Sequence, residues 1–461
     1  MKTDQSSLRT TMKKINGDSL TPILIFRRLK GKQKFLLESS SFSKGSGRYS
    51  FIGVNPVKAY RGQDGEIEEL DYTNGRTYRH EGDLYTLLKR LMPRISDDVN
   101  FPFTGGAVGY VGYGAARRGQ KRADDDLYMP DVYFNIYDTV IIYDHEEHEV
   151  TLLHTEINPV YGGPNLEALE EMITSGAIDH ETEVKMSPYQ SAVSQQQFEE
   201  QVLKAKAFID KGIAEQIVIS RRLEANLKGD PFALYRKLRK SNPSPYMYYM
   251  EFEDHTVIGT SPESLVKVTG DKVMVNPIAG TRRRGKDEQE DRTLEAELRK
   301  DAKELAEHDM LVKLSKEEMV TMCDPSTVQV TNYMETVRYE HVMHLVSEIE
   351  GTLAHGLHAL DALKTCLPAG TVTGSPKPVA MDIIEELEDK HRGIYGGAIG
   401  YIGLNGNIDF ALTIRTMLIK AGKAYVQAGA GIVKASNPTN EYMETVNKAR
   451  SLLEVEGERE V

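Results

Sequence analysis

Tyr425-Val426-Gln427-Ala428-Gly429-Ala430-Gly431-Ile432-Val433, followed by Glu441-Tyr442-Met443-Glu444, is the stretch from which the rest of the chain is read. Its apolar start and small-residue centre predict a buried strand that runs into a glycine corner, then a short loop and a helix. Glycines at a corner let a ligand approach the backbone, because no Cβ stands in the way. Glu441 and Glu444, at i and i+3, share one helix face. Together they suggest backbone N–H donors for an anion beside carboxylates for a hard cation.

Outward from this stretch, residues up to about 155 are β-rich. Segments 48–54, 107–113 and 132–143 carry β-branched and aromatic residues between turn signals, and 84–91 reads as a helix. The pattern breaks near 157–163, and a polar stretch reaches 191. This predicts an N-terminal β-rich domain over 1–160, a linker over 161–190 and a second domain over 191–456. A helix starts at Ser194, which forms a capping box with Gln197 and carries an apolar stripe of Phe198, Val202, Ala205 and Ile209 up to Gly212. Beyond it, strands are expected at 217–220, 247–252, 255–259, 394–402 and 408–419. Helices are expected at 231–240, 289–314, 357–366 and 379–387. The run 105–112 echoes 396–403, Gly-Gly-Ala-Val-Gly-Tyr-Val-Gly against Gly-Gly-Ala-Ile-Gly-Tyr-Ile-Gly, and reads first as a tightly packed strand used twice.

Bulk properties narrow the class. No run of about 18 apolar residues occurs, so no membrane span is expected, and the polar start lacks the apolar core of a signal peptide. Two cysteines, Cys323 and Cys366, cannot build a disulfide framework, which points to a reducing cytoplasm. A net charge of −12 argues against nonspecific nucleic-acid binding.

Candidate chemistry lies in the second half. Glu304 and Glu307 repeat the spacing of Glu441 and Glu444. Either pair alone reads as a solvated helix face, but two helices offering carboxylates to one Mg²⁺ would leave positions open for substrate oxygens. Pro277-Ile278-Ala279-Gly280-Thr281-Arg282-Arg283-Arg284-Gly285 is a glycine corner with a hydroxyl and three cations, equally readable as a basic surface turn. The loop 368–377, with Gly370, Thr371 and Gly374 before a helix, is a candidate anion site without P-loop spacing. His344 is a candidate acid or base, and Arg415, in an apolar strand, needs an anionic partner.

These blocks resemble the anthranilate synthase component I family of chorismate-utilising enzymes. The likeness runs from Leu36-Leu37-Glu38-Ser39 to Asn447-Lys448-Ala449. It includes Gly47-Arg48-Tyr49-Ser50, Asn242-Pro243-Ser244-Pro245-Tyr246-Met247, Ser261-Pro262-Glu263, Ala306-Glu307-His308 and the blocks 277–285, 341–344, 392–401 and 427–433. The resemblance implies an α/β (α+β) fold, a sandwich of two large sheets with helices outside. It implies conversion of chorismate and ammonia to anthranilate and pyruvate, the first committed step of tryptophan biosynthesis. Glu307 and Glu444 would bind Mg²⁺, with Glu304 and Glu441 close by. Gly280, Thr281, Tyr395, Arg415, Gly429, Ala430, Gly431 and Lys448 would hold the substrate. Glu263 would protonate the departing hydroxyl, and His344 would assist elimination. Glu38, Ser39, Pro245, Tyr246 and Met247 match the family's tryptophan feedback site. With no Gly-x-Cys-x-Gly setting in the chain, a separate glutamine-amidotransferase subunit is the implied partner.

Ala279 and Gln216 stand where sister activities carry functional lysines, which favours anthranilate synthase. The alternatives are an aminodeoxychorismate or aminodeoxyisochorismate synthase, or a homologue that only binds ligand or partner. The chain departs from the family at Ile213-Ala214-Glu215, at Val379 and at Lys313-Leu314-Ser315-Lys316-Glu317-Glu318, where Lys313 replaces an acid.

Overall fold

A computed structural model describes residues 9–40, 47–95, 99–116, 124–157, 163–178, 182–339 and 342–453. Two large sheets dominate it, one of 13 strands and one of 12, and every ladder in both is antiparallel. The first sheet places Phe35–Glu38 beside Tyr246–Glu251, then His255–Ser261, Thr416–Lys420, Lys423–Ile432 and the long Gln216–Lys228. The second runs from Ile278–Arg283 through Val342–Thr352, Lys272–Val275, Ser264–Thr269, Ile408–Leu412 and Ala398–Gly403 to Gly106–Val111 and Val132–Tyr137.

Between the sheets lies an aromatic core. Phe35, Phe51, Tyr248 and Met250 from the first sheet meet Tyr110, Tyr133, Tyr137 and Tyr401 from the second. Strand alternation explains how one segment serves two layers. In Tyr246–Glu251, Tyr248 and Met250 face the sandwich interior, while Met247 and Tyr249 face a second core under the outer helices. Pro22–Arg28, Leu166–Ser175 and Pro231–Ser241 cover the first sheet, and Leu84–Leu91, Ala302–Met322 and Ala359–Cys366 cover the second. This is the expected two-sheet sandwich with helices outside.

The two glycine-rich echoes lie side by side, with Gly109 opposite Gly400. A Cβ on Gly109 would sit 1.9 Å from the Tyr133 carbonyl oxygen, and one on Gly400 would sit 2.0 Å from that of Asp409. The repeat is therefore a packing device, and it joins the N-terminal and C-terminal parts of the chain inside one sheet. Each sheet contains a block of strands from before residue 160 joined edge to edge to a block from after residue 191. Within the expected linker, residues 161–162 and 179–181 lie outside the described part. The remainder is not a plain connector: Asn165 caps the helix Leu166–Ser175, whose Leu166 and Ile173 join the outer core.

Three further expectations change. The helix expected over 289–314 is two helices, Glu288–Leu298 and Ala302–Met322, because the Asp301 carboxylate accepts the amides of Lys303 (3.0 Å) and Glu304 (3.3 Å) and starts a new one. The strand expected over 394–402 begins at Ala398, after a turn. The strand expected over 408–419 is two strands, one in each sheet, so Arg415 lies between strands rather than within one.

Candidate active site

Glu263 and Arg415 occupy places where the chain passes from one sheet to the other. His255–Ser261 belongs to the first sheet and Ser264–Thr269 to the second, so Pro262 and Glu263 form one crossover. Ile408–Leu412 and Thr416–Lys420 are joined by the return crossover, 413–415. The two are bonded together: the Leu412 amide donates to the Glu263 carbonyl (3.0 Å), and the Thr260 amide donates to the Arg415 carbonyl (3.1 Å). Thr413 exchanges backbone bonds with Gly396 and Gly397, bringing the Tyr395 turn to the same seam. Arg415 itself turns the chain at φ +49°, a left-handed conformation rare for a residue with a side chain.

Two groups at this seam have shifted protonation. Burial pushes the Glu263 carboxyl up to about 7, against a hydrogen bond from the Thr371 hydroxyl to Oε1 (2.9 Å) and the positive charge of Lys448. It therefore keeps a proton close to neutrality, as a general acid must. His344 goes the other way. Burial, helped by Arg415, lowers it to about 4, so it is neutral at pH 7. Its Nδ1 lies 3.0 Å from the Gly280 carbonyl, which can only accept, so Nδ1 carries the hydrogen and Nε2 keeps a lone pair. That makes it a base or acceptor and not an acid. Thr281 pairs with His344 across the ladder, its hydroxyl 3.1 Å from Nδ1.

Burial lowers the Arg415 guanidinium below its ordinary range, and among the described residues no carboxylate pairs with it. A partly buried cation in that condition is a seat for an external anion. Gly429 and Gly431 lie on Lys423–Ile432, the strand that pairs with Thr416–Lys420 just after Arg415. A Cβ at Gly429 would meet the Tyr395 hydroxyl at 2.7 Å, and one at Gly431 would meet Gln216 Nε2 at 2.6 Å. Ala430 between them points the other way, into the core of Phe198, Ile217 and Ile384, so only its backbone faces the site. Lys448 Nζ donates to the Gly429 carbonyl (3.1 Å) and pairs with Glu444 (2.7 Å).

The four acidic candidates come together in pairs. Partial burial, then the charges of Glu304 and Glu444, raise the Glu307 carboxyl; burial and Glu444 likewise raise Glu441. Glu304 also reaches the Gly280 corner, where its Oε2 would lie 3.4 Å from an added Cβ. Among the described residues no group of three or more His, Cys, Asp or Glu side chains is gathered tightly enough to hold a metal. The donors nevertheless fit Mg²⁺, which commonly takes one or two carboxylates and fills its shell with water and substrate oxygens. Like charges crowded across two helices are also what a divalent cation relieves.

Other candidates are absorbed by structure. Arg282, Arg283 and Arg284 pair with Asp301 (2.6 Å), Glu290 (2.5 Å) and Asp291 (2.5 Å), so the basic turn is neutralised by the two helices that follow it. Lys313, Lys316 and Glu317 are exposed and Glu318 pairs with Lys377, so the charged departures after residue 312 face solvent or find a partner. The two elements expected to form a feedback site are adjacent: Glu38 pairs with Met247 across the ladder, and the Ser40 amide donates to the Ser244 carbonyl (3.1 Å). Glu38 itself is buried and bonded to the Tyr235 hydroxyl (2.7 Å) and Arg239 (2.9 Å). Ser39 and Pro245 flank this ladder, and the Tyr246 hydroxyl reaches Asp409 in the other sheet (2.9 Å).

The sequence model of the family described as chorismate binding enzyme matches residues 33–454. The chain belongs to the chorismate-binding enzyme family. Members of this family similar to it include anthranilate synthase component 1 of Lactococcus lactis, 43% identical over 96% of this chain and 99% of the relative. That of Thermus thermophilus is 39% identical over 97% of each. Among solved structures, anthranilate synthase component I from Streptococcus pneumoniae superposes with a TM-score of 0.79 at 37% identity, covering 95% of this chain and 98% of that one. The isochorismate synthase MenF of Escherichia coli, at 18% identity and a TM-score of 0.73, shares the fold.

The sequence reading misses the groups that support this candidate site from behind. Thr371 reads in the sequence as part of an anion loop, whereas its hydroxyl serves Glu263. Glu388 and Arg392 were not singled out. Their i, i+4 spacing looks like an ordinary exposed helix pair, but Glu388 caps its helix and both side chains are buried.

Proposed function

We propose that this chain is the ammonia-using catalytic component of an anthranilate synthase, converting chorismate and ammonia to anthranilate, pyruvate and water. The observation that carries the reading is end-to-end likeness, at 43% identity, to a relative of that name. The site chemistry agrees. Arg415 and Lys448 offer cations to a dianionic substrate, and the glycine strand Lys423–Ile432 offers backbone donors. Glu263 holds a proton for the departing ring hydroxyl once ammonia has added to the ring. Neutral His344, with its Nε2 lone pair, would take a ring proton as the enolpyruvyl group leaves as pyruvate. Glu307 and Glu444, with Glu304 and Glu441 beside them, would hold Mg²⁺; bound there, the ion would neutralise the ring carboxylate.

The proposal extends to a partner. Glutamine hydrolysis by a cysteine enzyme needs an accessible thiolate, but Cys323 and Cys366 are both buried, with burial pushing the Cys323 thiol up to about 11 and that of Cys366 higher. Ammonia would come from a glutaminase subunit. Tryptophan would act at Glu38, Ser39 and Pro245, Tyr246 and Met247. Two free cysteines suit a reducing, cytoplasmic setting, and among the described residues no helix is long and apolar enough to cross a membrane.

Purified protein given chorismate, Mg²⁺ and ¹⁵N-ammonium tests the reading. Labelled anthranilate and pyruvate should accumulate in equal amounts. An aminated product that keeps its enolpyruvyl group would identify a sister activity instead.

A further inference from the structure

Behind the site, Arg392 and Glu388 form a buried pair, 4% and 7% exposed. Arg392 Nε donates to Glu388 Oε2 (2.8 Å) and Nη2 donates to Oε1 (2.6 Å). The remaining contacts go to four separate segments. Nη1 donates to the Val372 carbonyl (2.7 Å), next to Thr371, whose hydroxyl holds Glu263. Nη2 also donates to the carbonyl of Val218, the register partner of Gly431. The guanidinium lies over the Tyr395 ring, 5.5 Å from its centroid, and over that of Tyr113, at 4.7 Å. Glu388 Oε1 accepts the amide (2.7 Å) and hydroxyl (2.9 Å) of Ser220, the register partner of Gly429. Ser220 Oγ in turn accepts Gln427 Nε2 (2.8 Å) on the glycine strand.

Apart from Tyr113, every anchor of this pair is thus a group that lines the candidate site or its immediate neighbour. Stability alone is a weak reason for such a pair, because replacing a buried ion pair by apolar residues is often neutral or favourable. Fixing three walls at one distance from each other is a better one, since small misplacements of substrate-holding groups lose rate and affinity. We propose that Arg392 and Glu388 are positioning residues for the chorismate site. They hold the Tyr395 turn, the Thr371–Glu263 wall and the Gly429–Gly431 strand in register, and do so without touching substrate. The inference deepens the proposed function and rests on the same site.

The test uses the full chain and three measurements: thermal midpoint, chorismate dissociation constant by calorimetry, and steady-state KM and kcat. Arg392→Lys keeps the charge and loses the planar fork. The double variant Arg392→Met with Glu388→Leu removes both charges at similar volume. Folded protein from either should bind chorismate about tenfold or more weakly, with KM raised to match. A folded variant that keeps wild-type affinity and KM, whatever its midpoint, overturns the proposal. If the double variant does not fold, Arg392→Lys decides by the same two constants. Affinity is read without turnover, so a wild-type product other than anthranilate would overturn the proposed activity and leave this comparison decisive.

Discussion

Glu263 is set apart by burial more than by any single contact, and this has a consequence for the free protein. Its carboxyl titrates at about 7 when folded, above its ordinary value near 4.5. As pH rises, the unfolded chain gives up this proton first, so the native state binds more protons between those two values. Its stability must then fall across that window, by about 3 kcal/mol if the full shift is expressed. Glu263→Gln removes the ionisation, so its thermal midpoint should exceed that of the wild type at pH 8 and approach it at pH 4.5. Equal differences at both pH values would mean that the carboxyl is not raised. Arg415 makes a parallel case. A partly buried cation without a carboxylate partner among the described residues weakens the free protein and strengthens the complex with an anion. Arg415→Met should raise the midpoint of the free protein while weakening chorismate binding by about a hundredfold; calorimetry and thermal unfolding on one preparation read both.

At the scale of elements, the signals that survived into structure are those with local causes. Ser194 and Gln197 form the expected capping box, and the stripe of Phe198, Val202, Ala205 and Ile209 is buried. The paired glycine runs became neighbouring strands because their own register leaves no room for a Cβ. What the sequence hid depends on contacts distant in the chain. The break at Asp301 was hidden because Glu and Lys on both sides continue a helical composition, and only the cap geometry shows the restart. Arg415 read as a strand residue because its apolar neighbours do not reveal that the two flanking strands belong to different sheets. Glu388 and Arg392 were invisible because a buried pair and a solvated pair share one spacing. Asp301 gives a test at this scale. It starts the helix that carries Glu304 and Glu307 and pairs with Arg282. Asp301→Ala should cost about 1 kcal/mol, as should Ser194→Ala on its own helix. Only the Asp301 variant should also raise the Mg²⁺ concentration needed for half-maximal activity. An equal effect of both variants on the Mg²⁺ requirement would separate that helix from the metal.

Across the whole molecule, each sheet joins early strands to late ones, so the elements proposed to bind tryptophan and the candidate catalytic seam share one framework. Phe35–Glu38 pairs with Tyr246–Glu251, that strand with His255–Ser261, and the latter runs directly into Glu263. A ligand that moved the Glu38–Met247 ladder would act on the crossover two strands away. On the proposed function, tryptophan should inhibit chorismate turnover, and Ser39→Phe should abolish the inhibition with little change in uninhibited kcat; a variant as sensitive as wild type would move the feedback site elsewhere.

In the proposed reaction the seam between the sheets is the chorismate site, and Glu263 supplies the proton. The most direct measurement is ammonium-dependent anthranilate formation, followed by fluorescence at pH 7, by wild type and Glu263→Gln, with the chorismate dissociation constant of each measured in parallel. The prediction is a loss of kcat of about 10²–10⁴-fold with affinity nearly unchanged. A Glu263→Gln protein that binds chorismate and turns it over at the wild-type rate would contradict it.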